Sequence, residues 1–166
     1  MTINPVKNVM TGFKKHLKRN NLLGKVFIGS DHGGVELKKN LVNYLSKSGY
    51  EVNDLGTTDK QSVDYPDYAY KVAHQVKDQT EDKGVLICKT GVGMSIAANK
   101  VSGVRAALCS HPDIAELARR HNNANLICFG ADFITPDNAR KSLDKFLKTD
   151  FEAGRHARRV NKIGKK

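Results

Sequence analysis

Between residues 25 and 154 the apolar positions alternate between two periods. Short apolar runs at 25–29, 84–88, 104–108 and 125–129, with a weaker one at 50–55, have the length and residue types of strands. Between them, apolar residues recur every three or four positions. That spacing predicts helices over 35–48, 67–78, from Gly91 and Gly93 to about 100, over 112–120 and over 136–148. Gly49 stops the first helix, and Thr135-Pro136-Asp137 supplies an N-cap, a first-turn proline and a first-turn acid for the last. Five short strands alternating with helices predict an α/β fold. The expected architecture is a doubly wound, Rossmann-like three-layer sandwich around a five-stranded parallel sheet. No internal repeat or low-complexity segment interrupts it.

A chain of 166 residues fits one domain. At this length folding buries roughly 70% of the unfolded surface, so neither disulfides nor a metal are required for stability. No apolar run approaches the roughly 20 residues of a membrane span, and the first residues lack the apolar core of a secretory signal. The net charge of +11 suggests a nucleic-acid binder until it is mapped. Residues 1–24 carry five basic residues and no acid, residues 155–166 carry six and no acid, and the 17 basic residues of 25–154 balance its 17 acids. The chain thus divides into a basic N-terminal extension (1–24), an α/β domain (25–154) and a basic C-terminal segment (155–166). Tail charge aids adhesion to polyanions but does not define what the neutral body does. In the extension, Val6, Val9, Met10, Phe13 and Leu17 share one face of a helical wheel. That stretch is expected to pack on the body or to be partly disordered, with attachment to a membrane surface or RNA as the alternative. Cys88, Cys109 and Cys128 are an odd number with no close pair, which suits a reducing cytoplasm.

In open parallel sheets, ligands bind beyond the carboxyl ends of the strands. Ser30-Asp31-His32-Gly33-Gly34 follows the first strand, Cys88-Lys89-Thr90-Gly91-Val92-Gly93 closes the third, and Cys109-Ser110-His111 follows the fourth. With His121-Asn122-Asn123 just before the fifth, an acid, imidazoles, a thiol and a hydroxyl are expected to converge on one edge. The glycine-rich turn after Cys88 presents backbone N–H groups that can hold a phosphate or a developing oxyanion. Cys88 at its lip can attack a carbonyl or remove a proton beside one, with the Lys89 ammonium favouring the thiolate. Plainer readings exist for each piece. Cys88 can be a small buried hydrophobe, Gly91 and Gly93 can allow a tight turn, and Asp31 can cap a helix. Cys109 and Cys128 read as packing residues. No Cys-x-x-Cys or His-x-x-x-His spacing indicates zinc, and the glycines after the third strand lack the third member of a dinucleotide fingerprint.

Taken together, Gly29-Ser-Asp31-His32-Gly-Gly34, Asp64-Tyr-Pro66, Cys88-Lys-Thr-Gly-Val-Gly93, Ser95-Ile-Ala-Ala-Asn-Lys100, His121-Asn122-Asn123 and Gly154-Arg155-His156 closely resemble the type B ribose-5-phosphate isomerases. Galactose-6-phosphate and allose-6-phosphate isomerases belong to the same family. The likeness runs over residues 25–162. It implies strand order 2-1-3-5-4 and a cytoplasmic, metal-free and cofactor-free aldose–ketose isomerisation through an enediolate, in the non-oxidative pentose phosphate pathway. It also implies active sites shared between the two subunits of a homodimer, which in many members pairs into a tetramer. By position, Cys88 resembles the base that moves a proton between C2 and C1. Thr90 and the amides of Lys89, Gly91, Val92 and Gly93 resemble the enediolate-binding turn. His121 resembles the ring-opening acid–base group, with Asn122 on the sugar. Asp31 and His32 resemble a sugar- and phosphate-contacting pair, and Arg155 and Arg159, four apart, can share one helix face toward the phosphate.

Three departures from the pattern stand out. Lys89 and Asp132 occupy positions where the family usually has Gly and, in many members, Arg; Ala153 replaces a common Gly. Met94 stands where a thiol-lacking branch places a glutamate base, which favours the thiol chemistry. The alternatives to a pentose phosphate substrate are a six-carbon sugar phosphate, whose extra carbon changes pocket energetics by only about 1–3 kcal/mol, or an idle protein holding a sugar phosphate or RNA.

Overall fold

A computed structural model describes residues 23–77 and 81–164. The helical face read from Val6, Val9, Met10, Phe13 and Leu17 of the 1–24 extension lies outside the described residues. Five strands, β1 (Lys25–Ser30), β2 (Glu51–Asp54), β3 (Lys83–Cys88), β4 (Ala106–Leu108) and β5 (Leu126–Gly130), form one all-parallel sheet of order β2-β1-β3-β5-β4. Its connections are α1 (Val35–Lys47), α2 (Tyr65–Val76), α3 (Val92–Ala98) and α4 (Pro112–Asn122), followed by α5 (Pro136–Lys148) and α6 (Gly154–Val160). A short 3-10 turn, His32–Gly34, precedes α1.

The central strands are apolar on both faces because helices cover both. Val85 and Ile87 of β3, with Ile127 and Phe129 of β5, pack against Leu41 and Leu45 of α1, Ala115 of α4 and Leu143 and Phe146 of α5. The alternate residues Leu86, Cys88, Leu126 and Cys128 pack against Val72 and Ala73 of α2 and Met94 and Ala98 of α3. Each fully buried Leu, Ile or Phe contributes about 1.5–3 kcal/mol. This alternation places the Cys88 side chain on the α2/α3 side of the sheet.

Several boundaries differ from the sequence expectation, each for a local reason. The second helix begins at Tyr65 because Pro66 takes a first-turn position behind Asp64. Strand β4 is only three residues long: the Arg105 amide is held by Asn125 Oδ1 at 2.8 Å rather than by a ladder. Its open edge is closed by Asn99, whose side chain accepts from the Ala106 N–H and donates to the Ala106 carbonyl, both at 2.9 Å. Helix α4 continues two residues past Arg120, to where Asn123 turns left-handed at φ 47°. At the amino end of α5, Thr135 caps Asn138 N–H at 3.2 Å, as its sequence indicates.

Candidate active site

Cys88 ends β3, and the chain turns at once through Gly91, whose φ of 75° favours glycine. A Cβ there would come within 2.5 Å of Leu108 Cδ1 and 2.9 Å of Gly130 N, so the turn lies directly on the ends of β4 and β5. This closeness aims the Gly91 N–H at Cys88 Sγ, 3.1 Å away. An amide donor on a thiol sulfur stabilises negative charge there. The next amide, Val92 N–H, is engaged by Thr90 Oγ1 at 3.3 Å. Two of the turn's donors therefore already serve the turn's own side chains.

Asp31 is held against β3 by its N–H to the Ile87 carbonyl (3.3 Å), one residue from the thiol. It is buried, and its Oδ1 accepts the Gly33 N–H at 2.9 Å. The capping reading of Asp31 is thus fulfilled by one oxygen. His32 accepts the Val63 N–H on Nδ1 at 3.2 Å, which leaves Nε2 as the ring's proton donor when neutral. That contact also draws the 57–64 loop to the site and sets Tyr65 beside the turn, where a Cβ on Gly93 would meet its ring at 2.7 Å. Tyr65, 40% exposed, belongs to the rim of the site, although sequence reading assigned it no role. The exposed Lys89 lays its Cγ over Gly33, within 2.5 Å of where a Cβ would stand, and its carbonyl accepts from Asp132 N–H at 3.1 Å. Cys88, Thr90, Asp31, His32, Lys89 and the 91–93 turn thus share the carboxyl edge.

His121, Asn122, Arg155 and Arg159 do not. Helix α4 leaves the carboxyl end of β4 and runs back along the sheet, so its last turn lies at the amino edge. Asn123 there shares a cleft of about 350 Å³ with Lys25 and Lys83, the first residues of β1 and β3. Eleven residues at 1.5 Å each separate the two ends of α4 by about 16 Å. The expectation that His121 converges with the thiol on one edge of the same chain is therefore corrected. A residue just before a parallel strand stands at that strand's start, not at its end.

At this second locus, α6 docks on the end of α4. The rings of His121 and His156 stack with centroids 4.3 Å apart and planes 7° from parallel. Glu152 Oε2 lies 3.8 Å from His121 Nε2 and 3.5 Å from His156 Nε2, while Oε1 accepts from Arg120 Nε at 2.8 Å. The Arg120 hydrogen bond holds the Glu152 carboxyl below its ordinary pKa, and burial together with the neighbouring His121 holds His156 below its own. Glu152 went unnoticed in the sequence, where the only signal was its spacing of four from His156. Asn122, Arg155 and Arg159 are exposed around this pair.

The other thiols lack such settings. Burial pushes Cys109 up to about 12 and Cys128 well above the ordinary range, consistent with the packing role read from sequence. Beside the Cys88 turn, Val92, Leu108 and Phe133 are 47%, 42% and 69% exposed and line a cavity of about 450 Å³. Among the described residues, no helix is long and apolar enough to cross a membrane.

A family model described as ribose/galactose isomerase matches residues 26–163. The ribose-5-phosphate isomerase B of Escherichia coli is 45% identical over 139 residues, covering 84% of this chain and 93% of that protein. Among solved structures, ribose 5-phosphate isomerase B from Anaplasma phagocytophilum superposes with a TM-score of 0.79 at 52% identity, covering 84% of this chain and 96% of the other. The Mycoplasma genitalium enzyme, solved with bound ribulose-5-phosphate, gives 0.82 at 46% identity over 86% and 95% of the two chains. The chain belongs to the ribose/galactose isomerase family, and it is an isomerase.

Proposed function

We propose that this chain interconverts ribose 5-phosphate and ribulose 5-phosphate through an enediolate, in the cytoplasm, within the non-oxidative pentose phosphate pathway. The observation that carries the reading is the Cys88 sulfur facing the Gly91 amide at 3.1 Å, with Asp31 fixed one residue away. A thiolate held there is a base for the carbon-bound proton, taking it from C2 and returning it to C1. In this reading Thr90 and the amides of the 89–93 turn that remain free after the contacts to Cys88 and Thr90 donate to the enediolate oxygen. His32, donating from Nε2, suits the phosphate.

The remaining groups lie about one helix length away, which supports a site completed by a second copy of the chain. In this reading His121 of the partner subunit opens the sugar ring, Asn122 of the partner subunit contacts the sugar, and Arg155 and Arg159 of the partner subunit bind the phosphate. The exposed apolar side chains of Val92, Leu108 and Phe133, which line the cavity beside Thr90, give that copy a surface to cover. Such dimers can pair into tetramers. The charge balance of residues 25–154 argues against nucleic acid as the partner of the body.

The test is conversion of ribose 5-phosphate in EDTA by the wild type and by Cys88→Ala. Base removal is expected to lower kcat by about a thousandfold or more with the fold intact. A folded wild type inactive on ribose 5-phosphate but active on allose 6-phosphate or galactose 6-phosphate would move the assignment to the six-carbon substrate.

A further inference from the structure

His121, Glu152 and His156 offer two imidazole nitrogens and a carboxylate oxygen that all lie within 4.8 Å of one another. We propose that these three residues bind a borderline divalent transition-metal ion of the Zn²⁺ class, and that its occupancy withdraws His121 from the sugar. The donor set is two neutral nitrogens and one hard oxygen, which suits Zn²⁺, Co²⁺ or Ni²⁺ and not Mg²⁺ or Ca²⁺. Around a tetrahedral ion with bonds near 2.1 Å, donor atoms sit about 3.4 Å apart. Glu152 Oε2 and His156 Nε2 are already at 3.5 Å, and Glu152 Oε2 and His121 Nε2 at 3.8 Å. Binding requires the His121 and His156 rings to leave their nearly parallel stack, because the lone pair of each Nε2 lies in its ring plane and both must point at one ion.

The surroundings prearrange the set. The segment just before α6 is joined to the end of α4 by the Glu152 N–H to the Arg120 carbonyl at 3.1 Å, so Glu152 is tied beside the two histidines. Arg120 engages Oε1 and turns Oε2 toward both rings, the kind of outer contact that orients a metal ligand. His156 is 7% exposed, which keeps one ligand shielded, while His121 is half-buried and leaves the open side to solvent. The guanidinium of Arg155, 3.5 Å from His156 Nε2, must swing aside, and its charge with that of Arg120 opposes the ion. The site is accordingly an inhibitory or regulatory one of moderate affinity, not a structural one. Because the ligands come from α4, α6 and the segment before α6, the missing short-range metal spacing in the sequence does not bear on it.

The inhibitory consequence rests on the proposed role of His121; the binding itself does not. Full-length Cys88→Ala protein, which removes the reactive thiol as a competing ligand, is titrated with Zn²⁺ by calorimetry and with Co²⁺ by visible absorption. The expected result is one ion per chain, weakened by about tenfold or more in Glu152→Gln and in His156→Ala, and unchanged in His111→Ala. Glu152→Gln keeps the side chain's shape, so it decides the matter if His156→Ala folds poorly. No saturable binding up to about 1 mM, equivalent to little over 4 kcal/mol, overturns the site; so does binding indifferent to both variants. In the wild type, Zn²⁺ is expected to abolish turnover along the same binding curve and EDTA to restore it, and Glu152→Gln is expected to weaken the inhibition as much as it weakens binding. Full turnover with the site occupied overturns the inhibition. A chain with no turnover on any sugar phosphate would remove the proposed function, while the Co²⁺ spectrum would still decide the metal site.

Discussion

Mixing two inactive variants distinguishes a site shared between subunits from one contained in a single chain. Cys88 stands at the carboxyl edge of the sheet and His121 at the far end of α4, about 16 Å of helix away. A proton acceptor must come within roughly 3 Å of its proton, so under the proposed function the two groups that act on one sugar are expected to come from different subunits. Cys88→Ala and His121→Ala are each expected to be nearly inactive as pure proteins, the first by about a thousandfold and the second less severely, because a sugar ring also opens in water. When the two are unfolded together, refolded and allowed to pair at random, half the dimers carry one subunit of each kind. In such a dimer one site gathers both defects and the other gathers none. Ribulose 5-phosphate formation should therefore recover to about a quarter of the wild-type rate. If each site lay within one chain, every site in the mixture would keep one defect and activity would stay at the parental level. Hybrid dimers demonstrated by mass, with no recovery of rate, would refute the shared site and the reading of His121 with it.

Two further outcomes follow from the thiol turn. Gly91→Ala forces a side chain into a left-handed position that also meets Leu108 and Gly130, and it should cost about 3 kcal/mol of stability, read as a lower denaturation midpoint; a change below about 0.5 kcal/mol would show that the turn relaxes freely. Iodoacetamide at pH 8 should label Cys88 alone: with Cys109 pushed up to about 12, only about one in ten thousand of its thiols is ionised there. Peptide mass mapping of native protein that found Cys109 or Cys128 labelled in parallel would contradict the burial argument.

Much of the fold is legible because apolar period encodes burial. Runs such as Gly84–Cys88 are apolar at every position since both faces of the sheet are covered, and Thr135 announces its helix through a local cap. Strand order is not written in any period. Nothing in the residues of β4 and β5 says that β5 inserts between β3 and β4, and only the resemblance supplied it. The thiol turn was legible for a related reason: glycines at Gly91 and Gly93 report close approach, although not that a tyrosine ring is what approaches Gly93. The error over His121 came from treating nearness in sequence to a strand as nearness to its functional end. The Glu152 contacts were hidden because a carboxylate beside arginines reads as solvated charge until two helices bring it onto two imidazoles.

The division of the chemistry between edges has a physical logic. A buried thiol without a donor is silent, as Cys109 just past β4 and Cys128 inside β5 are, because burial raises the pKa of each. Cys88 differs from Cys128 by position at the strand end, where the chain can turn and offer an N–H to sulfur. That same edge also holds Asp31, His32 and Lys89. An imidazole and two arginines that need exposed, adjustable positions are found instead on the last turn of α4 and on α6, far from the turn within one chain. Under the proposed function, the thiol turn and the groups on α4 and α6 would be joined when a second molecule covers the exposed Val92, Leu108 and Phe133. In this arrangement assembly would be a condition of catalysis, and dilution below the dimer's dissociation constant would lower activity without unfolding the chain.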